Sequence, residues 1–220
     1  IAVNTLLTSS DYEFMLNDSR AKALVVSSEL WPQFAPILDR CPHVNHVVVS
    51  GANAQGRTRL QDLLAQVGTS FATAPTSRDD PCFWLYSSGS TGTPKGTVHI
   101  QTSMLYTAEL YGRAVLGIRT DDVVFSAAKL FFAYGLGNAL SFPLAVGATT
   151  VLMAERPTPA SVFKRLKEHQ PTIFYGVPTL YGALLASPDL PKTAELKVRV
   201  CASAGEALPA DIGRRWTEHF

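Results

Sequence analysis

Cysteine is scarce: Cys41, Cys82 and Cys201 are the only three, they lie far apart, and no C-x-x-C pair occurs. That excludes a disulfide framework and a thiolate zinc site, and the sparse, odd count fits a reduced, cytoplasmic protein. A small buried hydrophobe is the commoner role for such a cysteine, with a catalytic thiol as the alternative. Charge of one sign is lacking too. Nineteen Lys and Arg against 18 Asp and Glu leave a formal net charge of +1, with no basic stripe. A nucleic-acid surface is therefore disfavoured. No apolar run reaches the roughly 18 residues that a membrane-spanning helix needs, and the opening IAVNTLLTSSDYEF carries no basic segment of the signal-peptide kind. His43 and His46 stand three apart with no third ligand at metal spacing, and His99, His169 and His219 are scattered, so no metal site is expected. Repeats and low-complexity tracts are missing as well. What is there is a chain of 220 residues, 46% hydrophobic and 17% charged, enough for a globular core. Oligomeric state is not legible in it.

Strand-like and helix-like segments alternate. Residues 11–19 read as a helix, 21–27 and 46–50 as strands, 51–59 as a polar surface loop and LQDLLAQ as a short helix. Residues 69–81 are linker-like and lead to CFWLY (82–86), an apolar and aromatic run of strand type. Apolar residues at 100, 104, 105, 108, 115 and 116 then keep helical spacing. Further on come a strand at 122–128, an apolar helix near 136–146, a strand at 149–154 and a helix at 158–169, with Thr158 as cap and Pro159 in its first turn. PTIFYG and KVRVCAS read as strands, VPTLYGALLAS and the final LPADIGRRWTEHF as helices. This alternation predicts an α/β fold built on a largely parallel sheet.

The stretch YSSGSTGTPKGTVH (86–99) falls between the aromatic strand and the helical spacing, and so predicts a strand–loop–helix junction. Gly89, Gly92 and Gly96 permit a sharply turning loop whose N–H groups converge into an anion-binding nest. Ser87, Ser88, Ser90, Thr91 and Thr93 add hydroxyl donors, Lys95 a point charge suited to phosphate, and Pro94 a fixed φ. Some of the hydroxyls serve the loop equally well by tying it to itself. A flexible Gly/Ser linker is the bland alternative, opposed by the strongly apolar flanks. The common NTPase phosphate loop also fails to match. Counted from Gly89, its second glycine falls on Pro94, and Gly96 stands where its hydroxyl residue belongs.

YSSGSTGTPKG resembles the signature phosphate loop of the adenylate-forming superfamily, which includes acyl- and aryl-CoA ligases, luciferases and peptide-synthetase adenylation domains. AVNTLLTSSDYEFMLNDSRAKALVVS, KLFFAYGLGNALSFPLAVGATTVLM, PTIFYGVPTLYGALL and VRVCASAGEALP resemble its other segments in order and spacing, so the likeness covers nearly the whole chain. Within the superfamily, KLFFAYGLGN and CASAGEALP are similar to benzoate–CoA ligases.

The resemblance implies an ATP-dependent benzoate–CoA ligase that forms an acyl-adenylate with release of pyrophosphate and then passes the acyl group to CoA. A 4-hydroxybenzoate or other aryl-acid ligase or adenylation domain is the alternative within the class, and a non-catalytic nucleotide-binding module the alternative outside it. The implied catalytic residues are Lys95 and Thr91. The implied phosphate-binding set is Ser87, Ser88, Gly89, Ser90, Thr91, Gly92, Thr93 and Lys95. Adenine is expected against Ser203, Ala204, Gly205 and Glu206, which otherwise read as a tight strand-to-helix turn. The aryl pocket is expected at Phe132, Ala133, Tyr134, Gly135 and Val177. The plain alternative for this aromatic run is core at a β–α junction, and for Phe131 and Phe132 the two readings stand side by side. The resemblance further implies that residues 1–220 are the central part of a large N-terminal AMP-binding domain. The glutamate that holds Mg2+, the ribose aspartate and a small C-terminal domain with a catalytic lysine would then lie beyond residue 220, and the chain alone would be inactive.

Overall fold

The computed structural model describes residues 1–88 and 94–220. They form two compact units: Val3–Ser77 with Trp84–Val98, and Ile1–Ala2 with Arg78–Phe83 and His99–Phe220.

In the first unit, helix α1 (Ser9–Asp18) starts at a reciprocal cap. The Thr8 hydroxyl accepts the Asp11 N–H, and the Asp11 carboxylate accepts the Thr8 N–H at 3.0 Å, which satisfies two donors the helix cannot pair itself. Strands β1 (Ala23–Ser27), β2 (His46–Ser50) and β3 (Thr58–Arg59) run parallel in that order. Helix α2 (Trp31–Phe34) continues into a 3-10 turn, Ala35–Arg40, and helix α3 (Leu60–Gln66) follows β3. Leu24 and Val26 on one face of β1 join Tyr12, Trp31, Phe34 and Val49 in the core, where Tyr12 stacks on Phe34 with ring centroids 4.3 Å apart.

Strands β4 (Pro81–Ser88) and β5 (Pro94–Ile100) pair with each other. This corrects the expected strand–loop–helix junction: a second strand follows residues 89–93, and Lys95 and Gly96 lie in it. The physical reason is packing between the two strands. A Cβ on Gly96 would come within 3.1 Å of both the Trp84 and Tyr86 rings, so the glycine serves close approach. His99 stacks flat on Phe83 at 4.6 Å, and the Tyr86 hydroxyl donates to Asp18 at 2.6 Å. Pro81 and Pro94 each open a strand, where a missing N–H is tolerated.

In the second unit, helix α4 (Ser103–Thr107) passes into a π-helical turn, Ala108–Arg113. Strand β6 (Val123–Ser126) precedes a continuous helical stretch, α5 (Ala133–Leu136), a π turn (Gly137–Ser141) and α6 (Phe142–Val146). Then follow β7 (Thr149–Val151), α7 (Pro159–His169), β8 (Ile173–Gly176), α8 (Pro178–Leu185), β9 (Val200–Ser203) and α9 (Ala210–His219). Thr158 caps α7 as its sequence predicts, accepting the Ser161 N–H at 3.3 Å. The four strands are parallel in the order β7-β6-β8-β9. Both faces of the sheet are covered. Phe125 and Phe174 point into a core with Val162, Leu166, Leu184 and Trp216, while Val124, Ile173 and Tyr175 point into another with Ala108, Leu116 and Phe142. That is why β8 is buried at every residue, as strands of a parallel sheet covered on both faces are.

Candidate functional site

Strands β6 and β8 are neighbours, yet the chain leaves them toward opposite faces. The helical stretch after β6 packs by Phe142 on the Val124 and Tyr175 side, whereas α8 packs by Leu180, Tyr181 and Leu184 on the Phe174 side. Divergence of this kind opens a crevice beyond the carboxyl ends of the strands, the usual ligand position in open α/β sheets. Residues 131–135 follow the carboxyl end of β6, and residues 176–177 and 203–206 start at the last residues of β8 and β9.

Two tyrosines cross-link these ends. Tyr134 on α5 donates its hydroxyl proton to the Ala202 carbonyl at 2.9 Å, with the Gly176 carbonyl 3.3 Å away. Tyr181 on α8 reaches the same Ala202 carbonyl at 3.0 Å, with Phe174 O at 3.4 Å. Burial pushes both phenols far above their ordinary pKa, so both stay protonated and able to donate. Gly135 fits only as glycine: a Cβ there would lie 2.0 Å from the Lys129 carbonyl oxygen. Lys129 itself donates from Nζ to the carbonyls of Met153 and Glu155, holding the segment after β6 to the segment after β7.

The core reading of the aromatic run does not hold for its middle. Phe132 is 46% exposed and Ala133 is exposed, while Tyr134 is half-buried and Gly135 buried. Phe131 packs against Phe132, ring centroids 4.6 Å apart. Val177 and Gly205 also adjoin: a Cβ on Gly205 would lie 3.8 Å from the Val177 side chain. Gly205 has φ +100°, a conformation that L side chains rarely adopt, and so turns the chain sharply after β9. Ala204 is half-buried and Glu206 exposed, and the Ser203 hydroxyl is buried without a hydrogen-bond partner among the described residues.

The other expected residues belong to the first unit. Ser87 is exposed near the end of β4, Ser88 ends that strand, and Lys95 is exposed on β5 with no ion pair among the described residues. Gly89, Ser90, Thr91, Gly92 and Thr93 lie outside the described residues. Among the described residues, no three His, Cys, Asp or Glu side chains gather as a metal site, and no helix is long and apolar enough to cross a membrane.

Two residues escaped the sequence reading. Lys129 left a signal, a lone charge inside the apolar run AAKLFFA. Tyr181 left none, because its periodic place on α8 is that of an ordinary core residue, and only the fold aims its hydroxyl at Ala202.

A model of the AMP-binding enzyme family matches residues 1–220. A benzoate–CoA ligase of Thauera aromatica is 66% identical over 220 residues, which are 100% of this chain and 41% of that protein. Among solved structures, a benzoate CoA ligase from Burkholderia xenovorans LB400 superposes with a TM-score of 0.89 at 49% identity, over 99% of this chain and 42% of that one. The anthranilate CoA ligase AuaEII, solved in complex with anthranoyl-AMP, superposes with a TM-score of 0.93 at 38% identity, over 99% and 42%. The chain thus spans about two fifths of the length of these relatives.

Proposed function

The chain belongs to the AMP-binding enzyme family, and from that premise we propose that it supplies the ATP- and aryl-acid-binding part of a benzoate–CoA ligase. In the first half-reaction a carboxylate oxygen of benzoate attacks the α-phosphorus of ATP, the bond to pyrophosphate breaks, and benzoyl-adenylate forms. In the second, the CoA sulfur attacks the benzoyl carbonyl and AMP leaves. The demand on the protein in the first step is to gather a polyphosphate and a carboxylate and to neutralise their charge, which is positioning plus electrostatic stabilisation. Lys95 supplies the cation, with Ser87, Ser88 and residues 89–93 as phosphate donors. Residues 203–206 receive adenine, and Phe132, Ala133, Tyr134, Gly135 and Val177 receive the ring. Among the described residues no three His, Cys, Asp or Glu side chains gather to hold Mg2+.

The observation that carries this reading is the exposed, apolar Phe132–Ala133 pair on the segment that follows the carboxyl end of β6. A flat apolar slot suits a phenyl ring, whose burial contributes roughly 2–3 kcal/mol. Benzoate is placed ahead of a hydroxylated ring because the relative that is 66% identical over the whole chain is a benzoate–CoA ligase.

The test is Ala133→Leu in the enzyme that carries this sequence. Overfilling the slot costs about 1–3 kcal/mol, so kcat/KM for benzoate should fall roughly 5- to 150-fold while KM for ATP holds. Unchanged specificity constants for benzoate, 4-hydroxybenzoate and an aliphatic acid would move the aryl pocket elsewhere.

A further inference from the structure

We propose that Tyr134 and Tyr181 act as a pair that sets the position of residues 203–206, which makes Tyr181 a positioning residue for the nucleotide. The catalytic meaning of the pair rests on the adenine reading given above.

Ala202 is the residue before Ser203, the last residue of β9. Its carbonyl receives one hydroxyl from α5 at 2.9 Å and another from α8 at 3.0 Å. The two helices pack on opposite faces of the sheet, so the hydroxyls converge from both sides on one oxygen. The chain then turns at Gly205, φ +100°, in a segment where the buried Ser203 hydroxyl has no partner among the described residues. A turn in this conformation with an unpaired hydroxyl is held from its start, and the Ala202 carbonyl is the point that both tyrosines grip. The ring of Tyr181 is fixed independently, edge-on to Phe174 and Trp216 at centroid distances of 5.6 and 4.6 Å. Phenylalanine at 181 therefore keeps the packing and removes only the hydroxyl.

The two hydroxyls also link the aryl side of the crevice to the nucleotide side. Tyr134 belongs to the proposed ring slot and Ala202 to the strand that leads into the adenine turn. Loss of either hydroxyl leaves the other in place, and loss of both leaves the carbonyl with neither. A net hydrogen bond is worth about 2- to 13-fold in an equilibrium constant, so each single variant should show an effect of a few fold. Groups that share one partner do not act additively, so the double variant should exceed the product of the singles.

The experiment uses Tyr134→Phe, Tyr181→Phe and the double variant of the enzyme that carries this sequence. Amide hydrogen exchange over 203–206 is followed together with KM for ATP, KM for benzoate and the melting temperature. The expected result is faster exchange at 203–206, greatest in the double variant. KM for ATP should rise about 2- to 5-fold for Tyr181→Phe, with its KM for benzoate unchanged, and for the double variant by more than the product of the two single effects. Unaltered exchange at 203–206 in all three variants overturns the proposal. Faster exchange with unaltered KM for ATP supports the positioning and removes the adenine reading, so the two failures are told apart. If the double variant does not fold, the single variants decide by the same criteria.

Discussion

Asp122→Ala should destabilise the enzyme by about 3 kcal/mol, the low end for stranding one member of a buried ion pair. Asp122 is almost fully buried, at 2% exposure, just ahead of β6. Thr172, just ahead of β8, donates its hydroxyl to the carboxylate at 2.6 Å. Arg199, just ahead of β9, reaches both of its oxygens, with Nε at 3.0 Å, and the Arg119 N–H donates at 2.8 Å. One carboxylate thus ties the amino ends of three adjacent strands, at the edge opposite the crevice. Arg199 is partly exposed and also holds the Gly117 carbonyl at 2.8 Å, so water can solvate it when its partner is lost. That places the cost near 3 rather than 5 kcal/mol. The melting temperature should drop by roughly 6–12 °C at 2–4 °C per kcal/mol. A drop under about 2 °C would show that the tie carries no net stability.

The same tie predicts a pH dependence. Burial alone would raise the Asp122 pKa, but hydrogen bonds from Arg199, Thr172 and the Arg119 N–H, with the charge of Arg199, hold it at about 2. Its unfolded value is about 3.9. A depressed carboxylate contributes stability that is complete above the unfolded value and is lost as pH falls through the folded one. The contribution is on the order of 2–3 kcal/mol and should fade between about pH 4 and pH 2. The gap in stability between the wild-type and D122N enzymes should narrow over that window as the wild type falls.

Local chemistry made the fold class legible. The Thr158–Pro159 start of α7 and the bounds of α3 need only neighbouring residues, and the sequence shows both. The alternation of apolar runs was enough for a parallel α/β sheet, because β6 and β8 are apolar on both faces. Strand β5 was hidden because it is stabilised across the ribbon, by Gly96 under Trp84 and Tyr86 and by His99 on Phe83. Residues 100–116 meanwhile kept a helical period that begins only at Ser103. The helical turns at 31–40 were hidden by Pro32 and Pro36, both of which stand in first turns where no N–H is needed. The crevice was out of reach for a different reason. It depends on which face each crossover helix covers, and no local pattern around Phe132 or Val177 states that. Lys95 was legible as a cation in a small-residue stretch, but its place on a strand was not.

Lys95→Ala should slow adenylation by roughly 10- to 200-fold. Lys95 is the second residue of β5, directly after residues 89–93, and its side chain is exposed. It makes no ion pair among the described residues, so its charge is free to meet an anion. A charge-assisted contact to phosphate is worth about 1.5–3 kcal/mol. That contact tightens as charge builds on the leaving pyrophosphate, so its loss appears in the rate of the first half-reaction. The CoA half-reaction, started from preformed benzoyl-adenylate, should be far less affected, because pyrophosphate has already left. Lys95→Arg keeps the charge but not the compact ammonium, and should recover part of the rate. The melting temperature should stay within about 1 °C, since substitution of an exposed surface side chain changes stability little. Benzoate-dependent ATP–pyrophosphate exchange measures the step directly. Exchange at the wild-type rate in the K95A enzyme would remove Lys95 from the phosphate site, whereas a rate loss matched by a large fall in melting temperature would make it a structural residue of β5.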